Sequence, residues 1–400
     1  MPRVFHMRIL IVDDENEARI LLTRILEKLE HEVVSAANGA EAWDILQNEQ
    51  IHLVISDWIM PRMDGLELCR RIRATKLERY IYVIMLTAKN NKNEIIEGMT
   101  AGADDFIVKP FDISELDVRI RAGERILRLE KELAERNEKL GEAYHRISKD
   151  LEAAAKMQRS LLPASAKTVF GLSFDWIFCP SSFLAGDIFN FFEFGNNHVV
   201  FYLLDVAGHG IPAAMLSVTL SKMLSSVVSQ HGFPSRSITD AERFEINNPE
   251  KLVGELNRRF QSADAMQYFT MVYGVVDVRD GKTKLVQAGH PCPIYQQREG
   301  EVKLIGSGGF PIGMLPDIEY EEHEFYLYQG DRLFVYSDGI TECPNANSDR
   351  FSTERLIGLL KEWKSIPLKE LIKGIEQKLS FWKGDNMFED DITLLGIERV

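Results

Sequence analysis

The chain has 400 residues of ordinary globular composition, too many for one ordinary core and enough for two domains with a connector. Its formal net charge of -14 makes a field that repels phosphates and argues against broad nucleic-acid or anionic-membrane binding. Cys69, Cys179, Cys292 and Cys343 show no CxxC spacing and no apolar run is long enough to span a bilayer, so a soluble, cytoplasmic protein without disulfides or zinc is expected.

From Arg8 to about Gly123, short β-rich runs alternate with helix-like segments: Ile9 to Val12, Val33 to Ala36, Leu53 to Ser56, Tyr82 to Leu86 and Phe106 to Val108. This alternation specifies an α/β doubly wound, five-stranded parallel sheet whose ligands bind beyond the carboxyl ends of the strands. At those ends stand Asp13 and Asp14, Asp57, Thr87, and Lys109 just before Pro110. Three clustered carboxylates repel one another unless a hard divalent cation sits among them, and oxygen ligands of this kind suit Mg²⁺. Asp57 is then placed as a nucleophile. With a metal and Lys109 neutralising a phosphoryl group and Thr87 hydrogen-bonding it, the carboxylate accepts phosphate as an acyl phosphate.

The Asp-Asp pair, Asp57 with Pro61 and Gly65, Thr87-Ala88, Gly102-Ala103-Asp104-Asp105-Phe106 and Lys109-Pro110 together resemble the receiver domain of two-component response regulators, over about Met7 to Gly123. The resemblance implies phosphorylation of Asp57 by a partner histidine kinase. It also implies Mg²⁺ held by Asp13, Asp14, Asp57 and the Ile59 backbone carbonyl, Phe106 as the switch aromatic, and a cis Lys109-Pro110 bond.

Asp112 with Glu115 three residues later reads as the cap of a further helix. From Leu116 to Leu162 apolar residues recur at helical spacing with no Gly or Pro cluster. With Ile126 as position a of a heptad, later a positions are Leu133, Leu140, Ile147, Ala154 and Leu161, and d positions are Leu129, Arg136, Ala143, Asp150 and Met157. The a row is apolar, the d row is mixed, and Tyr144 and Leu151 spill to e. A marginal two-stranded coiled coil in a homodimer is expected, with a register able to shift. The domains are therefore a receiver at 1–123, a helical coiled-coil linker at 124–162 and a second domain at 163–400, with Pro163 ending or kinking the helix.

Beyond the linker, β-rich runs at Leu172 to Phe178, His198 to Leu204, Met271 to Val278, Lys284 to Gln287 and Glu324 to Tyr328 mix with helices at Ala213 to Ser229 and Lys251 to Phe260. Asp280-Gly281 and Glu299-Gly300 read as hairpin turns, and Phe233 to Pro249 as a polar surface insertion. The expected fold is a layered α+β domain, two sheets sandwiched between helices. Its chemistry lies in Gly186-Asp187, Asp205 before Gly208-His209-Gly210, Ser337-Asp338-Gly339 and Glu389-Asp390-Asp391. Such carboxylates demand cations. Two metals sharing Asp205 can hold a water acidified toward neutral pH and aim it at phosphorus.

Met157-Gln158, Leu161-Leu162-Pro163, Ala185-Gly186-Asp187, Leu204 to Gly210, Phe269-Thr270, Ala288-Gly289-His290-Pro291, Tyr336 to Glu342 and Asp390 to Leu394 closely resemble the type 2C metal-dependent protein phosphatases of the bacterial SpoIIE and RsbU branch. The resemblance implies that Asp205 bridges two Mn²⁺ or Mg²⁺ ions, three ions being the upper count, with help from the Val206 carbonyl. It implies further that Asp338 and Asp390 bind one ion and Asp187 helps place a metal or its waters, with Asp391 and Asn190 as lesser candidates. Ala207, Ala185 and Asn190 depart from the branch's usual Ser, Gly and Asp. His209 and His290 are expected to be structural hydrogen-bonders in tight turns. The function implied is a response regulator whose Asp phosphorylation controls a protein Ser/Thr phosphatase, acting on a regulatory phosphoprotein such as an anti-sigma-factor antagonist. The alternative is an adaptor with a phosphatase-like domain that sequesters or delivers a sigma factor. Retention of Asp187, Asp205, Asp338 and Asp390 favours the enzyme, because a scaffold has no need of mutually repelling carboxylates.

Overall fold

The computed structural model describes residues 6–75, 79–88, 92–164, 166–195, 197–226, 248–261, 268–384 and 388–400. They form two compact units, Met1–His145 and Arg146–Val400. In the first unit, strands β1 (Arg8–Val12), β2 (Glu32–Ala36), β3 (Leu53–Asp57), β4 (Tyr82–Thr87) and β5 (Asp105–Val108) pair in the parallel order β2-β1-β3-β4-β5. Helices α1 (Asn16–Lys28), α2 (Gly39–Asn48), α3 (Gly65–Ala74) and α4 (Lys92–Thr100) make the crossovers, and α5 (Ile113–Arg159) follows β5.

Period-2 alternation divides this sheet's side chains into two cores. Leu10, Val12, Val54, Val83 and Met85 pack with Ala42, Leu46, Leu68 and Ile72 of α2 and α3. Ile9, Ile11, Leu53, Ile55, Ile84 and Leu86 pack with Leu22 and Leu26 of α1 and with Leu116, Ile120 and Leu127 of α5. Strands buried on both faces read as continuous apolar runs, which is why β1, β3 and β4 stand out, whereas the edge strand β2 is only partly buried. The Asp112 carboxylate accepts the Glu115 N–H at 2.8 Å, the cap expected for α5. That helix is unbroken over 47 residues, and the boundary between the units falls within it. It ends at Arg159, so Leu161, the last heptad position, lies beyond the helix and packs instead in the second unit's core.

The second unit contains two antiparallel sheets. One has the order β14-β11-β10-β9-β8, built from β8 (Ile188–Phe194), β9 (His198–Val206), β10 (Phe269–Asp277), β11 (Lys282–Ala288) and β14 (Glu322–Tyr326). The other, β13-β12-β15-β16-β7-β6, is built from β6 (Lys167–Val169), β7 (Leu172–Cys179), β12 (Ile294–Gln296), β13 (Val302–Leu304), β15 (Arg332–Tyr336) and β16 (Ile392–Arg399). Phe189, Phe191, Phe201, Leu203 and Val272 meet Leu333, Val335, Leu395 and Ile397 between the sheets. The outer face of the first sheet is covered by α6 (Ile211–Ser226) and α7 (Pro249–Phe260). The outer face of the second is covered by α9 (Thr353–Glu362) and α10 (Leu368–Lys383), while the short α8 (Asp338–Glu342) follows β15.

This is the expected layered sandwich. The Asp280-Gly281 hairpin joins β10 to β11, with Gly281 at φ +83°, and Glu299-Gly300 lies between the paired β12 and β13. β8, β16, α9 and α10 were not among the elements read from the sequence. The expected insertion at Phe233 to Pro249 falls largely outside the described residues, and its last residue opens α7.

Candidate active sites

In the first unit the strand ends bring the expected residues together. Asp13, Asp14 and Asp57 present carboxylate oxygens within 4.8 Å of one another. The Lys109 ammonium lies 2.9 Å from Asp13 and 3.0 Å from Asp57. Burial works against that ammonium, but its hydrogen bonds to Asp13 and Asp57 and their charges outweigh it and hold its pKa above the ordinary value. Burial also lifts Asp57 above the usual carboxylate range, with the Asp13 charge pushing the same way and Lys109 pulling it down. Thr87, buried, ends β4 and pairs with Val108 of β5. The cis Lys109-Pro110 bond is present. A Cβ on Gly65 would stand 2.2 Å from the Asp57 carbonyl oxygen, so only glycine lets α3 start this close to Asp57. Phe106 is half-buried against the α2–α3 side of the sheet, and the Ile59 side chain is exposed on the β3–α3 loop.

In the second unit the acidic residues gather where the two sheets part. Ile188 of β8 pairs with Leu204 of β9, so Asp187 stands beside Asp205 one step further along. Asp205 is in register with Thr270 of β10. By alternation from Phe189, Leu203 and Val272, all three side chains face inward between the sheets. From the opposite sheet Ser337 and Thr393 also face inward, alternating with Val335 and Leu395. The Ser337 hydroxyl donates to the Asp391 carbonyl at 3.1 Å and accepts the Thr393 N–H at 3.0 Å. This clamp fixes the start of α8, hence Asp338, against the segment carrying Asp390.

Asp187 is fully buried; the Thr393 and Ser337 hydroxyls are near enough to pull its pKa down, though neither of its oxygens meets full hydrogen-bond geometry. Burial first, and the Asp205 charge second, push its pKa well above the carboxylate range. Burial and the charges of Asp338 and Asp390 raise Asp205, and burial with Asp390 raises Asp338. Among the described residues none of these three forms an ion pair. Nor do Asp187, Asp205, Asp338 and Asp390 close into a set as tight as the first unit's.

Adjacent Asp390 and Asp391 are used differently. Asp390 is exposed beside a cavity of about 200 Å³ lined by Gly339, Glu342 and Phe388. Asp391 is buried, and both its oxygens are engaged: one by the Ser181 N–H and hydroxyl at 2.8 and 3.0 Å, the other by the Gly186 N–H at 2.7 Å. Asp391 thereby holds the loop that delivers Asp187. Asn190 is not brought to the acidic set. Three residues from Asp187 it faces the opposite side of β8, and its amide donates to the Leu161 carbonyl at 3.5 Å. His209 is exposed, whereas His290 is buried on Thr270.

Gln158 was visible in the sequence only as part of Met157-Gln158, with no role. On the last turn of α5, Met157 is 73% exposed and Gln158 3% exposed, the reverse of what polarity predicts. The Gln158 side chain donates to the Ala185 carbonyl at 2.7 Å and to the Ser217 hydroxyl at 3.2 Å, and accepts the Ala185 N–H at 3.0 Å. Both backbone polar groups of the residue two before Asp187 are thus held by α5.

Residues 9–121 match the response regulator receiver domain model, and residues 195–400 match that of Stage II sporulation protein E. The first unit is similar to a chemotaxis protein CheY homolog of Campylobacter jejuni, 42% identical over 107 residues that cover 26% of this chain and 82% of that protein. It is also similar to the response regulator RppA of Synechocystis, 39% identical over 121 residues covering 30% of this chain and 51% of that protein. The second unit shares its fold with the SiaA-PP2C domain of Pseudomonas aeruginosa, at a TM-score of 0.53 and 21% identity, over 64% of this chain and 98% of that one. With half of its length matched by that model, the chain belongs to the Stage II sporulation protein E (SpoIIE) family of type 2C phosphatase domains, preceded by a response regulator receiver domain.

Proposed function

We propose that the chain is a receiver-controlled, metal-dependent protein Ser/Thr phosphatase, switched by phosphorylation of Asp57 and acting on a regulatory phosphoprotein such as an anti-sigma-factor antagonist. The observation that carries this reading is Asp187: a fully buried carboxylate with no ion pair among the described residues, beside a second raised carboxylate at the mouth of a sandwich. Such an arrangement is costly unless cations enter it, and the family implies divalent metal dependence. Asp187, Asp205, Asp338 and Asp390, with the Val206 carbonyl, are the residues that would hold Mn²⁺ or Mg²⁺. When bound, such ions supply Lewis-acid polarisation of a phosphoryl oxygen and a water acidified toward neutral pH. The chain's own part is to hold these oxygens in place: Asp391 and Gln158 fix the Asp187 loop, and Ser337 fixes Asp338.

In the receiver, the Asp57 carboxylate oxygen takes the phosphoryl group from a histidine kinase, and Asp13, Asp14 and the Ile59 carbonyl complete a Mg²⁺ site. Lys109 offsets the added charge, Thr87 hydrogen-bonds the new oxygens, and Phe106 moves with Thr87. The changed β4–β5 face then acts on α5, in which Leu129, Leu133, Leu140 and Ile147 are exposed along the heptad seam and suited to a second copy of the chain. Because α5 is one helix, reordering of the seam reaches Gln158 and so the Asp187 loop. The test is Mn²⁺-dependent phosphate release from a phosphoserine protein and from a generic phosphoester, with and without acetyl phosphate. Turnover that vanishes in Asp205→Ala, and a response to acetyl phosphate that vanishes in Asp57→Ala, are expected. A wild type that takes up no more Mn²⁺ than Asp205→Ala and hydrolyses neither substrate would instead make the chain an adaptor.

A further inference from the structure

One buried group has no part in the chemistry above. His290 follows β11 and is 2% exposed, and its Nδ1 lies 2.7 Å from the Thr270 hydroxyl. Thr270 is the register partner of Asp205, and residues directly opposed across a strand pair share a face. The opposing sheet also reaches this ring. The Tyr336 backbone opposes the lowering of the imidazole's pKa by burial, and Tyr336 lies two residues before Asp338. Nε2 is buried and has no partner in hydrogen-bond geometry.

We propose that His290 is a positioning residue for the divalent-ion site: through its contact with the Thr270 hydroxyl it orients the strand pair that carries Asp205. This inference rests on the metal-dependent reading above. A neutral imidazole has one donor and one acceptor. In the proposed arrangement the ring hydrogen sits on Nε2, so that Nδ1 accepts from the Thr270 hydroxyl. Burial holds the imidazole down to about 3, so this polarity persists throughout the neutral range. The Thr270 hydroxyl hydrogen is therefore directed away from Asp205, which keeps both carboxylate oxygens free for cations. The ring is also fixed from behind. Gln287 donates to the His290 carbonyl and accepts the Gly308 N–H at 2.9 Å. Gly289, at φ +67°, packs so tightly that a Cβ would stand 2.7 Å from Pro311.

The test uses full-length wild type, Thr270→Val, Thr270→Ser, His290→Gln and the Thr270→Val/His290→Gln double variant. Each is titrated with Mn²⁺ by calorimetry, with the uptake remaining in Asp205→Ala subtracted as the receiver's share. Half-saturating Mn²⁺ for phosphoester turnover and the unfolding temperature are measured alongside. Thr270→Val and His290→Gln are each expected to weaken Mn²⁺ binding by about 10-fold or more, with the double variant no worse than either and Thr270→Ser close to wild type. A merely structural role would lower the unfolding temperature and leave the Mn²⁺ affinity of the folded variants unchanged, and that result, or additive losses, overturns the proposal. Thr270→Val, nearly isosteric, keeps the test decisive if His290→Gln does not fold. A wild type that binds Mn²⁺ without turnover refutes the phosphatase reading while the binding series still decides the role of His290; a wild type whose Mn²⁺ uptake matches that of Asp205→Ala overturns both.

Discussion

Asp13, Asp14 and Asp57 of the receiver stand within 4.8 Å of one another with the Lys109 ammonium about 3 Å away, whereas Asp187, Asp205 and Asp338 of the phosphatase unit have no ion pair among the described residues. Both sets sit at strand ends, and both carry carboxylates raised by burial. The difference is the internal cation. Lys109 sets a positive charge between two of the three receiver carboxylates, while the phosphatase carboxylates come from two sheets and have no such cation among the described residues. A site that supplies its own counter-charge offsets part of the carboxylate repulsion internally. A site that lacks one depends on what holds its loops, and here that includes the end of α5.

The largest expected effect comes from removing the Asp205 carboxylate. Asp205→Ala should lower Mn²⁺-dependent turnover by about a thousandfold or more, since Lewis-acid stabilisation worth several kcal/mol is lost, while Asp57 phosphorylation by acetyl phosphate proceeds as in wild type. Lys109→Met should make the receiver resemble the phosphatase unit. It is expected to lower receiver stability in chelator by about 1–3 kcal/mol, the range for losing one partner of partly buried charge-assisted hydrogen bonds, and Mg²⁺ should restore more stability than it adds to wild type in denaturant titrations. Gln158→Ala removes the partner of the Ala185 N–H and the shorter of two hydrogen bonds to its carbonyl, leaving that from the Ser217 hydroxyl at 3.4 Å, at an expected cost of about 1–3 kcal/mol. Basal turnover in that variant should no longer change with acetyl phosphate; a full response would place the coupling elsewhere.

The smallest effect is on thermal stability. The raised pKa values of Asp187, Asp205 and Asp338 mean that the folded chain binds more protons than the unfolded one. Stability from these groups is therefore present at low pH and lost as pH rises, from the ordinary value of 3.8 through about 7 for Asp205. In EDTA the phosphatase transition should fall in temperature between pH 5 and pH 8 by a few degrees, the scale of about 1 kcal/mol in a domain of this size. Mn²⁺ should raise it more at pH 8 than at pH 5. Equal Mn²⁺ shifts at both pH values would show that the carboxylates are not the ligands.

The receiver was legible almost residue by residue, because parallel strands buried on both faces are short apolar runs and their site residues are the next residues along. The phosphatase unit was legible as motifs and less so as elements. In β8 the run Ile-Phe-Asn-Phe-Phe-Glu-Phe hides its period, since aromatics occupy both faces. β16 gains its meaning from pairing with β7, more than two hundred residues earlier in the chain.

By itself the sequence determined which residue types stand at which strand ends, since a carboxylate after an apolar run is a local property. It also determined the continuity of α5, since helical spacing is local too. Only the tertiary structure decided how neighbours divide their work: Asp391 clamping a loop while Asp390 is exposed, Gln158 buried while Met157 is exposed, and Asn190 turned away from Asp187. Each of these depends on which face of an element meets the other sheet. A one-residue choice of face is set by packing between segments far apart in the chain, and no local pattern records it.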